Sequence, residues 1–341
     1  MHLSIDFFIR ILTLSLFHPS FALIFLPFIY VQGYEISHPA FISSSIYTSI
    51  VCISWFFGYL SIKSRNGMKT KRLDWDEEVV IVTGGSSGLG SLLVETLALK
   101  NVTVIILDII PPEIEHVNII YYECDVSKFE NVQNVAKEII EEVGHPTILI
   151  NNAGVVKGKT ILDESENEIL ETINTNLLSS FWTTKVFLPE MIKNNHGHIV
   201  TVSSAIGFSG IAQLADYCSS KAALVAFHES LRYELNNRYN AKSVRTTLVC
   251  PGEIKTGMFD GIKVKYPFIT SPLAPLDVVK SIITALDKNQ SQDILMPYYV
   301  NLMPLLRFLP SFIHDLVHQI SGSDDGMKTW KGSKSAYRKN R

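Results

Sequence analysis

The chain has 341 residues, of which 47% are apolar and 18% charged, and a formal net charge of −3. That length holds one large or two modest domains, and so apolar a composition excludes a disordered chain. The near-balanced charge lacks the basic stripe of a nucleic-acid binder, while Cys52, Cys124, Cys218 and Cys250 form neither a CxxC pair nor a disulfide-like spacing, as expected of a reduced, cytosol-facing protein.

The apolar excess sits at the front. Residues 1–62 carry only three formal charges, Asp6, Arg10 and Glu35. Two apolar stretches, 11–32 and 41–62, flank the polar turn 33–40. A helix rises about 1.5 Å per residue, so roughly 20 apolar residues cross a hydrocarbon core. The second stretch meets that length and ends in Trp55, Phe56, Phe57 and Tyr59, which suit an interfacial belt. The first is interrupted by His18, Pro19 and Pro27, so it either spans, lies in the interface or forms a hairpin with the second. Lys63, Arg65, Lys69, Lys71 and Arg72 follow at once and place that flank on the cytoplasmic side. A cleaved signal peptide fits poorly, because no basic n-region and no small-residue cleavage site are present. Residues 1–72 are therefore expected to be a membrane anchor, transmembrane or hairpin.

From residue 73 the pattern becomes short β-branched runs alternating with amphipathic segments. Strands are expected at 78–83, 102–108, 118–126, 147–151, 198–203, 244–250 and 293–296, and helices at 89–100, 128–143, 164–195, 218–239 and 276–288. Apolar runs without strict alternation suit parallel strands buried on both faces. Ser127-Lys128-Phe129-Glu130 reads as a capping box opening the second helix. The alternation predicts an α/β fold, a Rossmann-type doubly wound parallel sheet, over residues 73–300.

The first strand runs into Thr83-Gly84-Gly85-Ser86-Ser87-Gly88-Leu89-Gly90. Glycines at 84, 88 and 90 let backbone turn sharply and approach a pyrophosphate facing a helix N-terminus. Asp108 closes the second strand, where a carboxylate can accept from ribose hydroxyls and repels a 2′-phosphate.

With its TGxxxGxG spacing the sequence resembles the short-chain dehydrogenase/reductase family, and further landmarks appear in order: Cys124-Asp125-Val126, Asn151-Asn152-Ala153-Gly154, Ser204 thirteen residues before Tyr217, Tyr217-Cys218-Ser219-Ser220-Lys221, and Pro251-Gly252 followed by Ile254 and Thr256. The resemblance implies a nicotinamide dinucleotide held by Gly84, Ser86, Ser87, Gly88, Leu89, Gly90, Asp108, Asp125, Val126, Asn152, Ala153, Gly154, Tyr217, Lys221, Pro251, Gly252, Ile254 and Thr256. It implies Tyr217 as general acid/base, Lys221 lowering the phenol's pKa and holding the nicotinamide ribose, Ser204 binding the substrate oxygen in preference to Ser203, and Asn176 keeping a proton-relay water. Ser87 and Ile109 stand where NADP-preferring members place a basic residue, so NAD is expected, with NADP as the alternative.

Asn195 to Ser204 and Phe181-Trp182-Thr183-Thr184-Lys185 read like the membrane-anchored retinol dehydrogenase and 17-beta-hydroxysteroid dehydrogenase-like branch. That likeness implies a lipophilic alcohol or carbonyl as substrate, residence at the endoplasmic reticulum or lipid droplets with the catalytic domain facing the cytosol, and a homodimer through the helices carrying Asn176 and Tyr217. An NADPH-dependent keto-lipid reductase and a catalytically silent membrane scaffold are the alternatives.

Residues 294–320 are apolar but contain Pro297, Pro304, Pro310, Arg307 and Asp315, which argues against a third span and for an interfacial or lid-like region over residues 301–341. The tail 327–341 carries six cations and no acid, suiting either anionic headgroups or plain solvent. His314 and His318 share a helical spacing but no third ligand accompanies them, so no metal is expected. His196-Gly197-His198 is expected to open the fifth strand, and Cys218 to pack.

Overall fold

The computed structural model describes residues 4–67 and 71–332. It divides into two compact units, Met1–Lys69 and Thr70–Arg341.

In the first unit, helices α1 (Ile5–Leu14), α2 (Pro19–Val31) and α3 (Pro39–Asn66) follow one another. The stretch expected as one segment is broken after Leu14, and its two helices meet at 58°. The break has a local cause: His18 caps α2 by accepting from Ser20 N at 3.2 Å, with Pro19 at the first helical position, where its missing N–H costs nothing. His38 and Pro39 repeat this device at the start of α3, His38 accepting from Ala40 N at 3.2 Å. α2 packs on α3 as a hairpin, clipped by Thr48 Oγ1 donating to Ala22 O at 3.0 Å, Trp55 Nε1 donating to Phe17 O at 2.8 Å, and the Tyr47 hydroxyl donating to Leu16 O. α3 is long and apolar enough to cross a membrane, and Lys63 and Arg65 lie in its last turn. Lys69 lies outside the described residues.

The second unit alternates strands and helices: β1 (Val79–Thr83), α4 (Gly88–Ala98), β2 (Thr103–Asp108), β3 (Ile119–Glu123), α5 (Phe129–Glu142), β4 (Ile148–Asn151), α6 (Glu166–Ile173), α7 (Ser179–Asn194), β5 (Gly197–Val202), α8 (Ala215–Asn237), β6 (Val244–Pro251), α9 (Pro275–Asp287) and β7 (Gln292–Met296). The seven strands are parallel in the order β3-β2-β1-β4-β5-β6-β7. Successive side chains of one strand serve opposite faces. Val80, Val82, Val104, Ile106, Ile148 and Ile150 bury against α4 and α9, whereas Ile81, Ile105, Leu107, Leu149 and Ile199 bury against α5, α7 and α8. Burial on both faces is why the strands read as unbroken apolar runs. Each such side chain contributes roughly 1.5–3 kcal/mol. The order reverses between β1 and β4, so the crevice for a ligand opens at the carboxyl ends of those two strands.

Several local expectations change. The capping box at Ser127 does not form: Ser127 Oγ donates to Asp125 Oδ1 at 2.6 Å, and Lys128 is the N-cap of α5. A capping box opens α6 instead, between Ser165 and Glu168. β3 stops at Glu123, leaving Asp125 and Val126 beyond the strand. The helix expected at 164–195 is interrupted by a π-turn at Asn174–Leu178, a rare geometry that clusters at functional sites. Among the described residues after β7 the helices are short, the longest being α11 (Ser311–Ser321) after α10 (Met303–Leu306), and too short to span a bilayer. Of the basic tail, residues 333–341 lie outside the described residues.

Candidate active site

The turn between β1 and α4 is held by contacts that leave no room for side chains. Gly84 has φ +64°, and a Cβ there would lie 2.9 Å from Ala153 Cα. A Cβ on Gly90 would lie 2.1 Å from Gly84 O. Thr83 Oγ1 accepts from Asn152 N and Ala153 N, both at 3.0 Å, and Asn152 Nδ2 donates to Thr83 O at 3.1 Å and Gly84 O at 3.2 Å. The ends of β1 and β4 are thereby locked together beneath the turn. Asn151, the first residue of the same stretch, is tied from below by Thr183 Oγ1 at 2.7 Å. At the far side Thr256 lies 3.5 Å from where a Gly88 Cβ would be, so the segment after β6 borders the turn.

The residues present fit a dinucleotide pyrophosphate. Ser87 is the N-cap of α4 and makes no side-chain cap bond, and the buried Ser86 Oγ has no hydrogen-bond partner. The first turn of α4 therefore offers backbone N–H groups and a hydroxyl to an anion. Leu89 belongs to the core below it. Asp108 Oδ2 accepts from Ser86 N at 3.0 Å, and Oδ1 accepts from Ile110 N at 3.3 Å, which aims the carboxylate at the rim of the crevice. Asp125 is more occupied: it accepts from Ser127 and pairs with Lys128 Nζ at 3.1 Å. Burial alone would raise its pKa, and the bonds from Ser127 and Lys128 outweigh that and hold it below the usual carboxylate range. Val126 is a buried core residue beside it.

On the other side of the crevice β5 delivers two serines with different tasks. Ser203 Oγ donates to Lys221 O at 2.7 Å and so braces α8. Ser204 Oγ lies 3.4 Å from Ile206 N, which donates to it, and 3.5 Å from Pro251 O, and is also hydrogen-bonded to the Tyr217 phenol. Tyr217 and Lys221 stand one turn apart on α8, both buried. Lys221 Nζ donates to Val202 O at 3.0 Å and lies 5.6 Å from the centroid of the Tyr217 ring. Asn176, in the π-turn, accepts from Val155 N at 2.7 Å and donates to Val155 O at 2.9 Å and Ser220 Oγ at 3.2 Å. A Cβ on Gly154 would lie 3.5 Å from Asn176 Oδ1 and 3.7 Å from Lys221 Nζ. Four distant segments thus converge within one small volume.

The expected depression of the phenol's pKa by Lys221 does not appear. Burial raises Tyr217 above the ordinary phenol value, Cys218 adds to the rise, and the Ser204 hydrogen bond opposes it. Burial pushes Lys221 down to about 8. The ammonium is turned toward the Val202 carbonyl, not toward the phenol oxygen, so desolvation outweighs charge attraction. Cys218 is packed in the apolar cluster around Tyr217, and the four cysteines are unpaired.

Pro251 ends β6, and Gly252 N donates to Met296 O at 2.7 Å. Ile254 bridges to Leu273 and accepts from Thr256 N at 2.8 Å, which bends the segment back over the glycine turn. Among the described residues no group of three metal-ligating side chains exists, and His318 instead faces Ser209 at 3.0 Å. Two features escape motif reading. Thr83, the first letter of the glycine motif, is the acceptor that organises Asn152 and Ala153. Met327 packs into the cluster around Tyr217 from more than a hundred residues away, with no local signal to announce it.

The family model described as short chain dehydrogenase matches residues 78–266. Among curated relatives, short-chain dehydrogenase/reductase 3 of Homo sapiens is 35% identical over 287 residues, 80% of this chain and 94% of that one. Epidermal retinol dehydrogenase 2 of Homo sapiens is 38% identical over 246 residues, 69% of this chain and 78% of that one. Among solved structures, a short-chain dehydrogenase from Streptomyces avermitilis superposes with a TM-score of 0.58 at 21% identity, covering 72% of this chain and 97% of that one, a likeness of fold.

Proposed function

The chain belongs to the short-chain dehydrogenase/reductase family, and from that premise we propose that it is a membrane-bound, NAD-preferring dehydrogenase of lipophilic alcohols with Ser204, Tyr217, Lys221 and Asn176 as its catalytic set. The coarser activity follows from the family: it is an NAD(P)-dependent oxidoreductase. The observation that carries the finer reading is the surroundings of the phenol. Tyr217 is buried in an apolar cluster with Val156, Leu214, Met258, Phe259 and Met327, which supports an apolar body for the substrate.

The bound nicotinamide supplies the hydride acceptor or donor; the proton is the protein's task. Ser204 Oγ, next to the Tyr217 hydroxyl, binds the substrate oxygen and steadies charge developing on it. In reduction the Tyr217 phenol gives its proton to the substrate's carbonyl oxygen and becomes the phenolate; in oxidation the phenolate takes the alcohol's proton and becomes the phenol again. Lys221 places a cation one turn away, which favours the phenolate as the proton leaves. Asn176 acts by position: its side chain fixes Val155 and hence Gly154 beside Lys221. Gly84, Ser86, Ser87, Gly88 and Gly90 take the pyrophosphate at the α4 N-terminus, with Leu89 packing beneath. Asp108 takes the ribose hydroxyls, and Asp125 with Val126 borders the adenine. Asn152, Ala153, Gly154, Pro251, Gly252, Ile254 and Thr256 border the nicotinamide end.

Ile109, 43% exposed beside Asp108, offers no cation to a 2′-phosphate, which supports NAD over NADP. The exposed apolar side chains of α3, such as Ile46, Ile50 and Phe57, support residues 1–72 as an anchor in lipid, with residues 73–300 catalytic and 301–341 a membrane-facing or lid segment. A relative named epidermal retinol dehydrogenase 2 supports a lipid-soluble alcohol. On this reading the protein resides at the endoplasmic reticulum or lipid droplets with its catalytic domain in the cytosol, and pairs through the helices flanking Asn176 and carrying Tyr217.

The test is full-length protein in detergent, assayed for reduction of NAD and NADP against retinol, steroid and long-chain alcohols, beside carbonate extraction of membranes. Turnover of a lipophilic alcohol with NAD and retention in the carbonate pellet are expected. Faster reduction of a keto-lipid with NADPH would replace this reading, and no turnover of any lipid would favour a scaffold.

A further inference from the structure

The C-terminal segment returns to the mouth of the crevice. Met327 is 4% exposed and packs in the cluster that holds Tyr217, with Trp330 against it. Two polar bonds pin this strap to the loop after β6: Trp330 Nε1 donates to Met258 O at 3.0 Å, and Lys331 N donates to Asp260 O at 2.9 Å. Phe259, between those two acceptors, meets the Tyr217 ring edge-on at 5.7 Å. The phenol, Phe259 and the strap therefore form one continuous wall.

Two glycines from different loops make room for it. Gly158, after β4, has φ +68°, and a Cβ there would lie 2.4 Å from ring carbons of Trp330 and 2.9 Å from the Met327 methyl. Gly261, after β6, has φ +89°, and its Cβ would lie 2.6 Å from Thr329 O. Heavy atoms that close cannot coexist, so any side chain at position 158 displaces the indole. Left-handed glycines at both ends of the strap's footprint mark a docked segment with a defined seat.

From this we infer that residues 327–330 are the outer wall of the substrate pocket, and that Trp330, seated on Gly158, limits how wide an apolar alcohol can reach Tyr217. The inference rests on the dehydrogenase reading and adds a specificity-determining side chain to it. A flat indole and a flexible thioether facing Phe259 form a slot, which admits a linear or planar hydrocarbon and rejects a bulky one. Trp330 Nε1 and Lys331 N tie the strap to the loop after β6, so that loop and wall move as one.

The experiment compares full-length wild type with Gly158→Ala, Trp330→Ala and Trp330→Phe, using dodecan-1-ol and cyclododecanol with NAD. Gly158→Ala and Trp330→Ala should raise the cyclododecanol-to-dodecanol ratio of kcat/KM about tenfold or more, the discrimination expected of an apolar pocket wall, while Trp330→Phe holds close to the wild-type ratio. Amide exchange at Lys331, whose N–H is protected by Asp260 O, should rise in Gly158→Ala without any substrate present. NADH titration reports whether each variant is folded. An unchanged ratio in both Ala variants, with wild-type turnover intact, overturns the wall and leaves the dehydrogenase standing. Unchanged Lys331 exchange in Gly158→Ala overturns the docking. Failure of wild type to oxidise either alcohol overturns the wall together with the lipophilic-alcohol reading.

Discussion

Lys221 Nζ lies 5.6 Å from the centroid of the Tyr217 ring and donates to Val202 O at 3.0 Å, so the cation is held by β5 and not by the phenol one turn away. A buried ammonium is a cost to the fold, which shows as a pKa pushed down to about 8. Lys221→Met should therefore lower kcat/KM by about 10²–10⁴ without lowering the melting temperature of the ligand-free protein. The native state holds fewer protons than the unfolded chain between about 8 and the ordinary lysine value, so wild-type stability rises over that window relative to the variant. Thermal melts from about pH 7.5 to 10 check it, and a parallel pair of curves would contradict it.

The carboxylate of Asp108 accepts from Ser86 N on one oxygen and Ile110 N on the other, and the next residue is the exposed, uncharged Ile109. Removing the negative charge and adding a guanidinium should reverse the choice of nucleotide. Asp108→Ser combined with Ile109→Arg is expected to raise the NADP-to-NAD ratio of kcat/KM by about 10²-fold or more, since one charge contact in such a site is worth a few kcal/mol. Steady-state kinetics with both nucleotides measures it.

Glu78, 4% exposed at the start of the sheet, is met by His196 Nε2 at 3.0 Å from the residue before β5. The Glu78 hydrogen bond raises the pKa of His196 against the opposing effect of burial. A raised histidine contributes stability that is fully present below its unfolded value near about 6.5 and lost as pH climbs through the folded one. His196→Ala should destabilise by about 1–3 kcal/mol at about pH 6, because it strands a buried carboxylate, and by less at about pH 8.5. Urea melts at the two pH values decide.

An acid pair sits beside the site. Glu164 faces Asp216, whose Oδ1 accepts from Tyr217 N at 2.6 Å, and burial followed by the Asp216 contact raises Glu164 to about 7, with Glu168 adding and Lys159 opposing. The proton shared there stabilises the fold fully below the ordinary glutamate value and is lost as pH rises through about 7. Glu164→Gln keeps the neutral partner at all pH. The melting temperature of wild type should fall relative to Glu164→Gln between about pH 5.5 and 8, and equal slopes would remove the shared proton from consideration.

Much of the site was legible because its chemistry is written in short, ordered motifs. The glycine turn follows β1, Asp108 ends β2, and Tyr217 and Lys221 share one face of α8, so each motif falls at a strand end or on a helix that local spacing defines. The apolar runs marked all seven strands; the five inner ones, β2, β1, β4, β5 and β6, are buried on both faces, while the edge strands β3 and β7 are half-buried. What misled was local chemistry with two outlets: Ser127 could cap a helix or bond Asp125, and the nearer carboxylate won. Asn176 was legible as a residue but not as a π-turn, since that geometry depends on Val155 and Ser220 arriving from elsewhere.

Amino-acid order alone determined the alternation of elements, the apolar character of the first 62 residues and the reactive side chains, because each of these depends on neighbours within a few turns of backbone. Only the tertiary structure decided the strand order, the brace of Ser203 on Lys221, the rise in the phenol's pKa and the return of Met327 and Trp330 to the pocket. Those are effects of desolvation and contact between segments separated by tens to hundreds of residues, where no spacing rule operates and only packing chooses the partner.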